Sequence, residues 1–175
     1  FPTNNTPTDK ATFTTRLTVP YVPVPGFPSN QSAVSTGTLK SVTPAASTRT
    51  FTWEQPEQQA TYLALAAIGT YTEATADVAL TTGSTREWSY ANTALQVPSS
   101  FATRRAQLSP MLRAIERDYG TYPGSSIGMV VDSSTLGYAL ETQDRPYFEI
   151  SIGQNTLIHE LVHHWFGNAV SPTDW

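Results

Sequence analysis

His159-Glu160-Leu161-Val162-His163-His164-Trp165-Phe166-Gly167-Asn168 is the stretch from which the rest of the chain is read, and it holds all three of the chain's histidines. On an α-helix, residues four apart lie one above the other, so the imidazoles of His159 and His163 can reach one tetrahedral cation at about 2.0–2.1 Å. Glu160 projects about 100° away from His159. It can therefore reach a metal-activated water without ligating the metal itself. A helical His-Glu-x-x-His is a zinc peptidase signature, in which the glutamate takes the proton of the water that attacks a peptide carbonyl. The bland alternative is a buried helix that carries polar residues by chance, since Ile158, Leu161, Val162, Trp165 and Phe166 make it apolar on most sides. Burying three ionisable groups without partners is costly, which favours the metal reading.

Composition sets the frame. A chain of 175 residues with 39% hydrophobic and 11% aromatic content can bury one core or two small ones. Its net charge is −4 and its ten Lys and Arg residues are scattered, so no nucleic-acid partner is expected. The absence of cysteine excludes disulfides and thiolate metal sites, leaving imidazole and carboxylate as donors. A Thr-rich, charge-poor sequence with 13 prolines points to an exported or cell-envelope protein, of bacterial type, rather than a cytoplasmic one. No apolar run of about 18 residues occurs, so no membrane span is expected.

The first half reads as β-structure. Phe13, Leu17 and Val19 alternate with polar residues over 11–19, and Phe51 and Trp53 do so over 49–53, which is the period of a strand with one buried face. Residues 20–28 and 29–37 read as loops, 38–42 as a short strand, and the apolar run 61–68 as a central strand. Thr82-Gly83-Ser84 reads as a turn. Beyond it, Leu108, Met111, Leu112, Ile115 and Tyr119 recur at helical spacing; Ser109 would be the N-cap, Pro110 the first helical residue and Gly120 the residue past the end. Strands are expected at 126–131 and 147–152, and Asn155 or Thr156 would cap the helix of the histidine pair.

The decisive stretch, followed by Val170 and Trp175, resembles the core signature of the zinc metallopeptidase family that includes aminopeptidase N, the gluzincins. The resemblance extends along the chain. Phe1-Pro2-Thr3-Asn4-Asn5, Pro7 and Asp9-Lys10-Ala11 are similar to a stretch of that family's N-terminal β-domain. Trp53-Glu54-Gln55-Pro56, Ala60-Thr61-Tyr62-Leu63 and Ile68-Gly69 are similar to the strand pair that closes it, and Tyr119-Gly120, Tyr122-Pro123 and Gly137 to Thr142 follow in the family's order. The resemblance implies an α+β fold: the last part of an N-terminal β-sheet domain over residues 1–83, then the first part of a thermolysin-like catalytic domain over 84–175. It implies zinc as cofactor and peptides as substrates, with His159 and His163 as metal ligands and Glu160 as general base. The third ligand would be a glutamate one helix further on, and the oxyanion-stabilising tyrosine lies further still, so the remainder of a longer parent chain would supply both. This stretch alone is then expected to be inactive.

The resemblance also implies that Glu141 binds the substrate's free α-amino group, a role whose physical logic is that a carboxylate near the zinc would pair with an N-terminal ammonium and measure one residue to the scissile bond. Tyr138-Ala139-Leu140-Glu141-Thr142 departs from the family's Gly-x-Met-Glu-Asn loop at three of five places, and an ordinary solvated glutamate is the alternative. His164 points about 100° from His163 and is expected to pack rather than ligate. Trp165 and Phe166 read as core, and Arg104, Arg105, Arg113 and Arg117 as a solvated helix face. Two other readings remain. Asp174, eleven residues past His163, could complete the site of a zinc endopeptidase, or the chain could be a non-catalytic binding module.

Overall fold

The computed structural model describes residues 2–21, 31–95, 99–134 and 136–174. Strand β1 (Lys10–Pro20) shows the expected alternation: Phe13, Leu17 and Val19 turn inward while Thr14, Arg16 and Thr18 face solvent. It pairs antiparallel with the long β4 (Thr48–Ala60), which sets Leu17 opposite Phe51, and β3 (Thr38–Pro44) lines the other edge of β4. The loop expected over 29–37 contains a strand, β2 (Ser32–Ser35), whose partner is β5 (Ala66–Gly69). Most of the loop expected over 20–28 lies outside the described residues. The apolar run 61–68 divides into a 3-10 turn, Thr61–Leu63, and part of β5, so Leu63 is buried at a corner rather than in a continuous strand.

Strands β6 (Tyr71–Ala79) and β7 (Ser84–Asn92) form a hairpin around Gly83, whose φ of 78° is the left-handed conformation that glycine adopts without a Cβ clash. The turn expected at 82–84 is formed, and both its strands belong to one sheet. That sheet continues through β8 (Ser126–Ile127), β9 (Val130–Asp132) and β10 (Tyr147–Glu149), all in parallel contacts. A single strand expected over 126–131 is interrupted at Gly128 because the chain there passes against β7: a Cβ on Gly128 would lie 1.9 Å from the Trp88 carbonyl oxygen.

This sheet is the middle layer. Tyr90, Val130 and Tyr147 turn one way, to meet Val19, Val34, Phe51 and Trp53 of the N-terminal strands. Their neighbours Ala91, Val131 and Phe148 turn the other way, to meet two helices. Helix α1 (Ser99–Tyr119) buries Phe101, Leu108, Leu112 and Ile115. It starts ten residues before the expected Ser109, so Pro110 lies inside it and the Ala106 carbonyl loses its helical donor. The Ser109 hydroxyl donates to the Ala79 carbonyl at 2.8 Å rather than capping. Helix α2 (Gln154–His163) follows Gly153 with no side-chain cap, in place of the expected Asn155 or Thr156. Among the described residues no helix is long and apolar enough to cross a membrane.

One cation fastens the layers. Arg145 is fully buried; its guanidinium donates to the carbonyls of Ser35, Gly37 (2.7 Å) and Trp88 (2.9 Å) and lies 4.7 Å from the Trp53 ring centroid. Beside it, Asp144 accepts from Gln55 Nε2 at 2.8 Å. Burial, opposed by Arg145 and reinforced by Glu57, raises the Asp144 carboxyl from 3.8 to about 7. Arg145→Met strands two buried carbonyls and one partly buried one and is expected to cost on the order of 3 kcal/mol, read as a lower urea midpoint. Folded Asp144 keeps a proton that the unfolded chain releases, so its contribution to stability is full below pH 3.8 and is lost as pH rises through about 7. Thermal midpoints taken from pH 4 to 8 should therefore fall with rising pH through this component, and Asp144→Asn should remove it; an identical slope in the variant contradicts the assignment.

Candidate metal centre

Helix α2 places His159 and His163 one turn apart, and their Nε2 atoms stand 3.1 Å from each other with the rings nearly perpendicular. Two nitrogens of a tetrahedral zinc site about 2.0–2.1 Å from the metal would be separated by about 3.3 Å. The other nitrogen of His163, Nδ1, lies 3.0 Å from the Phe166 carbonyl oxygen. A carbonyl only accepts, so Nδ1 carries the proton and Nε2 keeps its lone pair for a cation. The donor chemistry of the pair thus fits zinc. Among the described residues, Asp174 included, no group of three His, Cys, Asp or Glu side chains is gathered to hold a metal.

Glu160 faces inward and is only 4% exposed, whereas His159 on the preceding position is exposed. Burial raises its carboxyl to about 7; His163 opposes the shift and Glu141 adds to it. Glu141 is half-buried just ahead of the turn that carries Arg145. Its field also acts on Tyr62, whose hydroxyl is raised first by burial and then by Glu141. The carboxylates of Glu160 and Glu141 and the phenol of Tyr62 therefore share one neighbourhood.

The chain after α2 is tightly determined. The amides of Asn168, Ala169 and Val170 donate back to the carbonyls of His163, His164 and Trp165, each five residues earlier, at 2.9–3.1 Å. Gly167, at φ 122°, lets this loop pass beneath His163: a Cβ there would sit 3.1 Å from His163 Nδ1. Asn168 Nδ2 donates to the Glu141 carbonyl at 3.0 Å and joins the histidine helix to the Glu141 segment.

His164 is buried and packs, as expected: Nδ1 lies 2.9 Å from the Tyr122 hydroxyl, and burial, with His163 and Arg145, lowers its pKa to about 3. Trp165 is buried with its indole N–H on the Gly120 carbonyl, but Phe166 is half exposed, because it lies past the helix end, where its ring meets Tyr119 edge-on. The arginines of α1 divide. Arg105 grips buried Glu87 with two bonds of 2.6 and 2.9 Å and Arg104 donates to the Ile152 carbonyl, while Arg113 and Arg117 are exposed. Sequence reasoning missed Lys10, Arg145 and Asn168 as structural contacts of the site, because each acts on backbone carbonyls, which leave no trace in side-chain patterning.

The fold has counterparts among solved structures. The M1 zinc metallopeptidase from Deinococcus radiodurans superposes with a TM-score of 0.87 at 29% identity over 100% of this chain and 38% of that one. A mutant of that enzyme superposes at 0.84 and 28% identity over 97% of this chain and 37% of that one. The mutant bound to a Tyr-Ser-Ala substrate gives the same values. No protein-family model matches the sequence, and no curated protein matches it. The chain thus has the fold of one part of M1 zinc metallopeptidases and spans less than two fifths of their length.

Gly167→Ala is expected to cost about 1–3 kcal/mol through backbone strain and to push the His163 imidazole out of line. Thermal unfolding together with zinc uptake measured by elemental mass spectrometry checks both effects.

Proposed function

We propose that this chain is part of an M1-type zinc peptidase, most specifically an aminopeptidase that removes the N-terminal residue of peptides. The observation that carries the reading is the convergence of His159 and His163 Nε2 at 3.1 Å, with buried Glu160 between them in sequence, in a chain with the M1 metallopeptidase fold. His159 and His163 would hold the metal, and the remainder of the parent chain would supply the third ligand. Zinc, when bound, supplies Lewis acidity for the scissile carbonyl and acidifies water toward a pKa of about 7.

The chain's own residues supply the rest. Glu160, with a carboxyl raised to about 7 by burial, suits a group that takes a proton near neutral pH and returns it to the leaving amine. Glu141 would pair with the substrate's α-ammonium and so count one residue to the scissile bond. Phe166 O fixes the His163 tautomer, and Asn168 fixes the spacing between the helix and Glu141. The Thr-rich, charge-poor composition supports an exported or cell-envelope setting.

Two variants of the parent enzyme test this on aminoacyl amides. Glu160→Gln should retain zinc by elemental mass spectrometry and lose at least 10²-fold in kcat, since general base catalysis contributes about 10²–10⁴. Undiminished turnover in that variant would sink the base assignment. Glu141→Gln should weaken kcat/KM on substrates with a free amine and spare amino-blocked ones; equal losses on both would remove Glu141 from amine recognition.

A further inference from the structure

Three successive carbonyls past helix α2 are tied to the N-terminal part of the chain, and the first two also accept from the Ser171 hydroxyl of their own segment, at 2.9 and 3.4 Å. Gly167 O accepts from the Tyr62 hydroxyl at 3.2 Å, and Lys10 Nζ donates to Asn168 O at 2.6 Å and to Ala169 O at 3.0 Å. The amides of the same segment are tied back to α2 through the five-residue bonds at Asn168, Ala169 and Val170. The segment is therefore gripped from both sides. What it presents to the candidate metal centre is the Phe166 carbonyl, 3.0 Å from His163 Nδ1. The Phe166 side chain, 49% exposed, contributes little to holding that carbonyl in place.

We propose that Lys10, with Tyr62 assisting, is a positioning residue for His163: by holding the carbonyls of residues 167–169 it keeps the Phe166 carbonyl on Nδ1, and so fixes the tautomer and ring direction with which His163 meets a divalent cation. The N-terminal layer is then part of the metal centre although it contributes no ligand. A carbonyl on the far nitrogen of a ligating imidazole orients the ring and raises its basicity, and loss of such partners weakens metal binding by about 10–100-fold. A lysine suits this place because its three N–H donors can serve two carbonyls at once, at the end of a helix where a positive charge is favoured. The inference rests on the reading of His159 and His163 as metal ligands.

The test uses the 175-residue chain labelled with ¹⁵N-histidine, as wild type, Lys10→Met, Lys10→Arg and Tyr62→Phe. Nitrogen chemical shifts report the His163 tautomer without metal, and competition with a chromophoric chelator reports zinc affinity. The wild type is expected to hold the Nδ1–H tautomer, and Lys10→Met to show mixed tautomers and roughly tenfold weaker zinc binding. Lys10→Arg should restore both. Tyr62→Phe, which deletes one hydroxyl and is the milder variant should Lys10→Met fail to fold, should shift both in the same direction by a smaller amount. A Lys10→Met chain that melts lower but keeps the wild-type tautomer and affinity overturns the proposal, since the contact would then be structural only. Absence of zinc binding in the wild type would mark the site as incomplete without the third ligand of the parent chain, and the tautomer comparison then decides the role of Lys10 by itself.

Discussion

The burial of the Arg145 guanidinium is the constraint on which the rest of the architecture depends. A cation removed from water is tolerable only when its donors are taken up, and the acceptors here come from separate elements: Ser35 at the end of β2, Gly37 in the turn that follows, and Trp88 in β7. The Trp53 ring of β4 covers the face of the cation. None of these elements can move off alone without exposing a carbonyl or stranding the charge. The outer sheet, the small two-stranded sheet and the middle sheet are thereby held at one seam.

That seam reaches the candidate site through the short segment 141–147. Arg145 anchors it in the middle, and β10 begins with Tyr147 two residues later. The amide of Gln143 donates to the Leu63 carbonyl, which ties the segment to the 3-10 turn that carries Tyr62. At its other end the Glu141 carbonyl is held by Asn168 beyond α2. Glu141 is thus fixed relative to the histidine pair through bonds to the main chain of its own segment, one of them from the Asn168 side chain. Precision of this kind fits the role proposed for Glu141, because placement costs little when the backbone is already ordered.

Legibility in the sequence follows the same division. Elements with a strong period were read correctly in kind: the alternation of Phe13, Leu17 and Val19 in β1, the Leu108–Leu112–Ile115 face of α1, and the His159–His163 spacing on α2. The start of α1 was missed because Thr103, Arg104 and Arg105 interrupt the apolar pattern and Pro110 mimics a helix beginning; tertiary packing of Phe101 against the core outweighs both. The strand β2 was missed because Ser32-Ala33-Val34-Ser35 is too short and polar to signal itself, and its burial comes from Trp53, whose indole N–H donates to the Ala33 carbonyl. The gap at Gly128 records a close approach to Trp88 that no local pattern encodes.

The candidate site divides in the same way between what spacing dictates and what the surroundings must add. Helical geometry alone brings the two imidazoles onto one face, but it leaves each ring free to rotate and to carry its proton on either nitrogen. The Phe166 carbonyl beside Nδ1 favours one rotation and one tautomer of His163, and its approach is eased because residue 167 has no Cβ to crowd the ring. The glycine in Trp165-Phe166-Gly167-Asn168 therefore belongs to the chemistry of the preceding histidine as much as to the end of the helix. Helical spacing brings the two rings together; Phe166 and Gly167 after them decide which nitrogen of His163 carries its proton.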